Sequence, residues 1–198
     1  MESTIPKIVE IYTETTPNPV MLKFVTTQML LPNMILECKS KEEATVSPLA
    51  QALFEMEFID SVFISNNFIT LAKKEETQEE WFELTYEIKE FLKQYIKDDK
   101  SIVTDDFIAA QKEKAAAKKE EDTIDSKIIA LLDKYVKPAV EMDGGHISFQ
   151  SFNEGTVTLL LQGACSGCPS SSVTLKDGIE AMLKRMLPEV KEVVAEAG

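Results

Sequence analysis

The chain has 198 residues, of which 44% are hydrophobic and 28% charged, so it can fill one or two domain cores and is not a disordered tail. Its formal net charge is −13, and no stretch is basic. This argues against nucleic-acid and anionic-membrane partners, because both require a positive footprint. No run approaches the roughly 20 apolar residues of a membrane span. The acidic start, MESTIPKIVEIYTE, is unlike a signal or transit peptide, which predicts a cytoplasmic protein.

The first part of the chain mixes strand and helix patterns. Ser47 followed by Pro48 is typical of a helix start, with Ser47 as the N-cap. Asn66-Asn67 joins two apolar runs as a two-residue hairpin loop, since Asn tolerates positive φ. The sequence predicts strands at 7–12, 20–26, 33–39, 60–65 and 68–73 and helices at 47–56 and 79–96. The second helix is predicted to bury one face, formed by Phe82, Ile88, Leu92 and Ile96.

A charged run divides the chain. Residues 111–122, QKEKAAAKKEED, contain no large apolar side chain and consist mostly of good helix formers, which predicts a solvated helical linker. We expect an α+β protein with two small domains, at 1–100 and 123–198, joined by a charged helical linker at 101–122.

The second part has the pattern α-β-β-α-β. A helix is predicted at 123–136, ended or bent by Pro138, with an apolar face of Ile124, Ile128, Leu131, Leu132 and Tyr135. Strands at 146–152 and 156–162 flank a turn at 153–155. After them come the segment GACSGCPSSS, a helix and a short strand at 188–196. The apolar stripe of that helix is Leu175, Ile179, Met182, Leu183 and Met186.

The three cysteines are an odd number in a chain predicted to be cytoplasmic, which argues against a disulfide framework. Cys38 stands alone in a predicted strand, where a structural role is favoured. Cys165 and Cys168 form a C-x-x-C motif, which is compatible with zinc, iron–sulfur or thiol-redox chemistry.

The surroundings of the motif sharpen this interpretation. Gly163 and Gly167 permit a tight turn and leave room beside the sulfurs. Pro169 and the serines after it predict a helix start with a serine N-cap. The positive end of that helix would favour the thiolate, which is the form that binds metal.

Two thiolates per chain are too few for an iron–sulfur cluster or a closed Cys₄ zinc site, each of which takes four. The simplest solution is a two-fold dimer in which each chain donates Cys165 and Cys168. A cluster held between chains is released when they separate, which suits a carrier.

Other chemistry finds little support in the sequence. His146, the single histidine, follows Asp143-Gly144-Gly145, which is predicted to form a turn; a surface or hydrogen-bonded histidine is favoured over a ligand. There is no Ser/His/Asp set, P-loop or dinucleotide fingerprint, so we expect no enzyme activity. Two alternatives use the same C-x-x-C: a thiol–disulfide oxidoreductase and a structural zinc-bridged dimer.

The second part resembles the NifU-like C-terminal domain of the Nfu family. The shared segments are DGG at 143–145, LQGACSGCPSS at 161–171, TLKDGIEAML at 174–183 and PEV at 188–190. The first part resembles the Nfu N-terminal domain through TPNP at 16–19, LKF at 22–24, SPLA at 47–50, LF at 53–54, FIT at 68–70 and Trp81. One departure is His146, where relatives often have an acidic residue.

The resemblance implies a scaffold or carrier that binds a 4Fe–4S cluster between two chains and passes it to apo-proteins. The family's ligands fall on Cys165 and Cys168. Implied partners are a second copy of the chain, apo iron–sulfur clients and upstream cluster-assembly proteins. The first domain would recognise partners, and receipt and delivery are favoured over assembly of new clusters.

Overall fold

The computed structural model describes residues 8–117, 123–166 and 169–198. They form an α+β protein that divides into two compact units, the first containing residues 8–15 and 20–116 and the second containing residues 16–19 and the described residues from 117 onward. Residues 118–122 of the predicted linker, together with Gly167 and Cys168, lie outside the described residues. None of the helices in the described part is long and apolar enough to cross a membrane.

The first unit is built on a five-stranded antiparallel sheet of order β1-β2-β5-β4-β3. Asn66 ends β4 with a φ of 44°, which confirms the predicted hairpin at Asn66-Asn67. The first strand lies later than predicted, since its pairing with β2 begins at Ile11 opposite Thr26. The strands are β1 (Ile11–Thr15), β2 (Met21–Thr26), β3 (Leu31–Cys38), β4 (Ile59–Asn66) and β5 (Phe68–Lys73).

Helices cover this sheet, after a short 3-10 turn at Glu43–Val46. Ser47 is the N-cap of α1 (Pro48–Leu53), as predicted: its Oγ accepts a hydrogen bond from the Ala50 amide at 3.0 Å. The long helix α2 (Trp81–Lys97) buries a face formed by Leu84, Ile88, Leu92, Tyr95 and Ile96. Phe82 was predicted on that face, but its side chain is 78% exposed. It precedes Leu84 by two residues, and at 100° per residue it points away from the core.

The segment after α2 continues the first unit. The Ser47 hydroxyl donates to the Ile102 carbonyl at 2.6 Å, and Val103 is buried in the first core. A further helix, α3 (Asp105–Ala117), follows, and Phe107 and Ile108 pack against the same core. The predicted linker segment thus begins with residues that belong to the first core, and residues 111–117 are helical as expected.

The second unit has the predicted α-β-β-α-β order with one additional helix. Pro138 lies in the first turn of that helix, where its missing N–H costs no hydrogen bond, so the chain bends near Val136 as expected. Tyr135, predicted on the buried face, is 50% exposed. The elements are α4 (Ile124–Tyr135), α5 (Lys137–Met142), β6 (Gly145–Asn153), β7 (Thr156–Gly163), α6 (Pro169–Met186) and β8 (Glu192–Ala197).

The sheet of this unit has the order β6-β7-β8. β6 and β7 form an antiparallel hairpin around Glu154 and Gly155, both at positive φ (51° and 98°). β8 pairs with β7 in parallel, which requires α6 as a crossover helix and was not predicted. The core is formed by all three strands and the helices, and its completely or almost completely buried residues include Ile128, Leu132, Ile147, Val157, Leu159, Leu183 and Val193. This topology places the turn after Gly163 between the central strand and the start of α6.

Candidate functional site

The turn after β7 carries the first cysteine of the motif. Gly163 has a φ of 62°, which confirms the predicted tight turn. Both the amide and the hydroxyl of Ser166 donate to the Gly163 carbonyl, each at 3.0 Å. The Ala164 amide donates to the Gly144 carbonyl at 3.3 Å. The backbone on either side of Cys165 is therefore fixed by hydrogen bonds to two glycines.

Cys165 is 4% exposed and packs in the second core. A Cβ built on Gly145 would lie 2.7 Å from the Cys165 Sγ and 2.8 Å from the Gln162 carbonyl oxygen. No residue with a side chain fits there without displacing the sulfur or the strand. The predicted turn at 143–145 is confirmed by the φ of 81° at Gly144. The role of Gly145 in making room for the sulfur was not predicted. The only local signal for it is the pair of adjacent glycines, Gly144 and Gly145.

A cavity of about 530 Å³ lies beside this cysteine, between α4–α5 and α6. Its lining is mostly apolar and includes Tyr135, Val136, Ala139, Cys165, Leu175 and Ile179, with Asp143 as its carboxylate. At Gly178, which also lines it, an added Cβ would meet no atom within 4 Å. The protein therefore has an open, largely apolar space next to Cys165.

Helix α6 begins at Pro169, directly after the C-x-x-C motif. The predicted serine N-cap is wrong, because residues 170–172 already lie inside the helix. Cys168 falls outside the described residues, so its assignment as the second ligand stays a prediction. The free N–H groups of the first turn give this end of α6 a partial positive charge, which favours a thiolate nearby.

Cys38 contrasts with Cys165. It is fully buried at the end of β3, in the core of the first unit. Burial, together with the nearby carboxylates of Glu43 and Glu37, raises the pKa of its thiol to about 11. A thiol with that pKa stays protonated at neutral pH, so it binds metal poorly. The environment of Cys38 therefore fits the structural role predicted for it.

His146 is the second residue of β6, and its half-buried side chain has an Nδ1 that is buried without a hydrogen-bond partner in the described part of the chain. The prediction of a surface or hydrogen-bonded histidine is therefore wrong at this atom. Burial and the positive charge of Lys137, opposed by the charge of Asp133, together lower the pKa of the imidazole to about 4. Lys137 and Asp133 form an ion pair with each other.

No group of three or more His, Cys, Asp or Glu side chains among the described residues is arranged to hold a metal ion. Within the described part of the site, Cys165 is the one cysteine of the motif, and if it binds a metal the further ligands would come from Cys168 or from another molecule. The fold and site define a two-unit α+β protein with a cysteine-based metal or redox site at a strand-to-helix turn.

The comparisons with known proteins cover both units. Residues 128–194 match the NifU-like domain family, and residues 11–99 match the family of the scaffold protein Nfu/NifU N terminal. The mitochondrial NFU1 iron-sulfur cluster scaffold homolog of Homo sapiens is 36% identical over 92% of this chain and 70% of its own length. A NifU-like protein of Schizosaccharomyces pombe is 37% identical over 93% of this chain and 71% of its own.

Two further proteins are similar to this chain. The mitochondrial NifU-like protein 4 of Arabidopsis thaliana is 36% identical over 94% of this chain and 65% of its own length. The solution structure of a NifU-like protein from Saccharomyces cerevisiae covers 53% of this chain and 91% of its own, at 25% identity; its TM-score of 0.43 is too low to support an argument. With both domains matched in order, the chain belongs to the Nfu family.

Proposed function

We propose that this protein is an iron–sulfur cluster carrier, which holds one 4Fe–4S cluster between two copies of the chain and passes it to apo-proteins. Its relatives are named as iron-sulfur cluster scaffold proteins, which supports the general role. We propose in addition that the cluster is a 4Fe–4S cluster bound by Cys165 and Cys168 of two chains, and that it is transferred to other proteins.

The observation that carries the proposal is the position of the Cys165 sulfur. Gly145 has no side chain that could cover the Cys165 sulfur, and the neighbouring cavity is open. A thiolate is a soft ligand and suits iron in a cluster. A sulfur packed against a glycine can be reached by a cluster without moving a side chain at that position.

The need for a second copy follows from the ligand count. A 4Fe–4S cluster takes four cysteine ligands, and only Cys165 and Cys168 stand near one another in the sequence. A two-fold axis through the cluster brings the same pair from each chain. Dissociation of the two chains would then release the cluster, so the shared site itself provides a route for transfer.

The remaining roles follow from this. The cluster is cargo, and we propose no catalysis by the chain itself. We propose partner recognition for residues 1–100 and cluster binding for 123–198; of the linker proposed at 101–122, the first residues, including Val103 and Phe107, pack in the first core. Cytoplasmic location stays a prediction, although two of the relatives are named as mitochondrial proteins. Cell fractionation tests it.

Two alternatives use the same cysteines. In a thiol–disulfide oxidoreductase, the motif would cycle between dithiol and disulfide in a single chain. In a zinc-bridged dimer, the four thiolates would hold a colourless metal. The absorption spectrum of protein purified without oxygen separates them, because only the cluster gives broad visible absorption.

The test is the stoichiometry of the reconstituted protein. We expect four iron and four sulfide per two chains, and a cluster-bound form that elutes earlier than the apo form on a sizing column. A cluster retained by a strict monomer would contradict the shared site. Zinc at one ion per dimer, with no iron bound after reconstitution, would favour the structural alternative.

A further inference from the structure

The outer face of α2 in the first unit carries two exposed aromatic side chains. Phe82 is 78% exposed and Tyr86 is 75% exposed, the two largest values among the large hydrophobic side chains of the described residues. They are four residues apart, so they lie next to each other on one side of the helix. The opposite face of α2 packs in the core, and these two rings are not part of that face.

The surroundings of the two rings are acidic. Residues 73–93 contain seven glutamates and four lysines, Lys73, Lys74, Lys89 and Lys93, and Lys89 follows Tyr86 by three residues on the helix. Glu83 and Glu87 each follow one of the aromatic residues directly, and both are exposed. The Lys73 Nζ lies 3.7 Å from Glu80, and Lys93 pairs with Glu90 at 2.9 Å beyond the aromatic pair. The rings therefore stand in a negative electrostatic field.

We propose that this acidic-aromatic face, formed by Phe82, Tyr86, Glu83 and Glu87, docks a segment of a partner protein that combines Lys or Arg with aliphatic side chains. Charge complementarity selects the basic residues, and it speeds the encounter as well as binding. The rings offer both a hydrophobic surface and cation–π contacts to the same cations. The inference rests on the proposed function, in which the first unit recognises partners.

Other occupants fit this surface less well. An anionic membrane would be repelled by the glutamates. A second copy docked here about a two-fold axis would bring the same glutamates against one another. Exposed aromatic pairs of this kind are typical anchors of protein interfaces, since aromatic residues dominate interface energies. A basic, partly apolar protein segment is therefore the occupant that the charges and the rings favour.

The experiment uses the full chain, labelled with ¹⁵N, and two synthetic helical peptides. One peptide contains Leu, Ala and Lys; in the other, every Lys is replaced by Glu. We expect the Lys peptide to bind and to shift the resonances of residues 82–90, with affinity that falls as salt is raised from 50 to 300 mM. We expect the Glu peptide to leave the spectrum unchanged.

Variants locate the binding surface. The double variant Phe82→Ala/Tyr86→Ala should weaken binding about tenfold or more, as loss of aromatic anchors does. Glu87→Lys should weaken it and flatten the salt dependence. Met29→Ala is the matched control, because Met29 is an exposed (61%) hydrophobic residue of the same unit that lies off α2. It should bind as the wild type does.

Three results would overturn the inference: equal binding of both peptides, shifts that map away from α2, or unchanged affinity of the double variant. A concentration-dependent dimer of the apo protein that the double variant abolishes would assign the face to a second copy and also overturn it. Cluster content is measured on the same samples. If the wild type holds no cluster, the proposed function fails; if all variants hold it and the peptide result fails, only this inference does.

Discussion

The two units differ in the surroundings of their buried cysteines, Cys38 in the first unit and Cys165 in the second. In the first unit, Cys38 is enclosed by a five-stranded sheet and its helices, and nearby carboxylates oppose its ionisation. In the second, Cys165 is almost as well buried, yet it stands in a turn beside an open cavity and ahead of a helix start. Burial alone does not distinguish Cys38 from the cysteine proposed to bind the cluster; the turn, the glycines and the nearby charges do.

The sharpest test of this contrast exchanges each cysteine for alanine. Cys165→Ala should abolish stable cluster binding, because one lost ligand per chain removes two from a shared site. Cys168→Ala is expected to do the same. Cys38→Ala should leave iron and sulfide content nearly unchanged, although the core loses a buried sulfur. The measurement is iron, sulfide and visible absorbance per chain after anaerobic reconstitution; a bleached Cys38→Ala variant would refute the structural role of Cys38.

Substitutions at two glycines, Gly145 and Gly178, test how tightly the second unit packs around the Cys165 sulfur. Gly145→Ala places a methyl group 2.7 Å from the Cys165 Sγ, so we expect a destabilisation of about 1–3 kcal/mol and a large loss of cluster. Gly178→Ala in α6 is the comparison variant: Gly178 lines the cavity beside Cys165, but its added methyl group meets no protein atom and is small against about 530 Å³. It should retain the cluster and gain up to about 1 kcal/mol from helix propensity. Urea unfolding and iron content measure both variants.

Equal cluster content in the two glycine variants would show that the close approach of Gly145 to the sulfur has no role in binding.

Separating the units tests whether the second needs the first. The second core is formed by residues between 128 and 193, so the fragment 123–198 has a core of its own. We expect it to bind the cluster but to transfer it several-fold more slowly than the full chain, since the linker no longer holds a partner close to the cluster. Transfer to one apo-enzyme is compared at matched cluster concentration. Equal rates for several clients would remove the recognition role of residues 1–100.

The smallest expected effect is a pH dependence confined to the second unit, which contains the only histidine. Because the folded pKa of His146 is about 4, below its ordinary value of 6.5, the unfolded chain takes up the proton more readily. The second unit should therefore lose stability as the pH falls from 6.5 toward 4, with no contribution from His146 above 6.5. His146→Gln should show a shallower loss in urea unfolding at pH 7.5 and 5. Identical slopes would contradict the buried neutral imidazole.

The sequence predicted most elements because their signals are local. Ser47-Pro48 fixed the start of α1, Asn66 marked the hairpin and Pro138 marked the bend near Val136. Phe82 was misplaced because apolar character indicates burial only when the helical register agrees, and Leu84, Ile88 and Leu92 set that register.

The site was predicted in part, for a similar reason. Cys165 follows from the motif, and the turn follows from Gly163. The contact between Gly145 and the Cys165 sulfur joins residues 20 positions apart through the pairing of β6 with β7. The parallel pairing of β8 likewise depends on tertiary packing of α6. Neither can be found from local patterns, because each depends on contacts between residues at least 20 positions apart.

The crossover between β7 and β8 also sets the order in which the cysteine becomes protected. The β6–β7 hairpin is local and closes within microseconds, whereas parallel pairing must wait for α6 to form and dock. Leu175 and Ile179 of α6 share the lining of the cavity with Cys165. We therefore expect the Cys165 thiol to be solvent-accessible in a newly made chain until the crossover is complete. The speed of that docking step determines how long the sulfur is open to oxidation before it can accept a cluster.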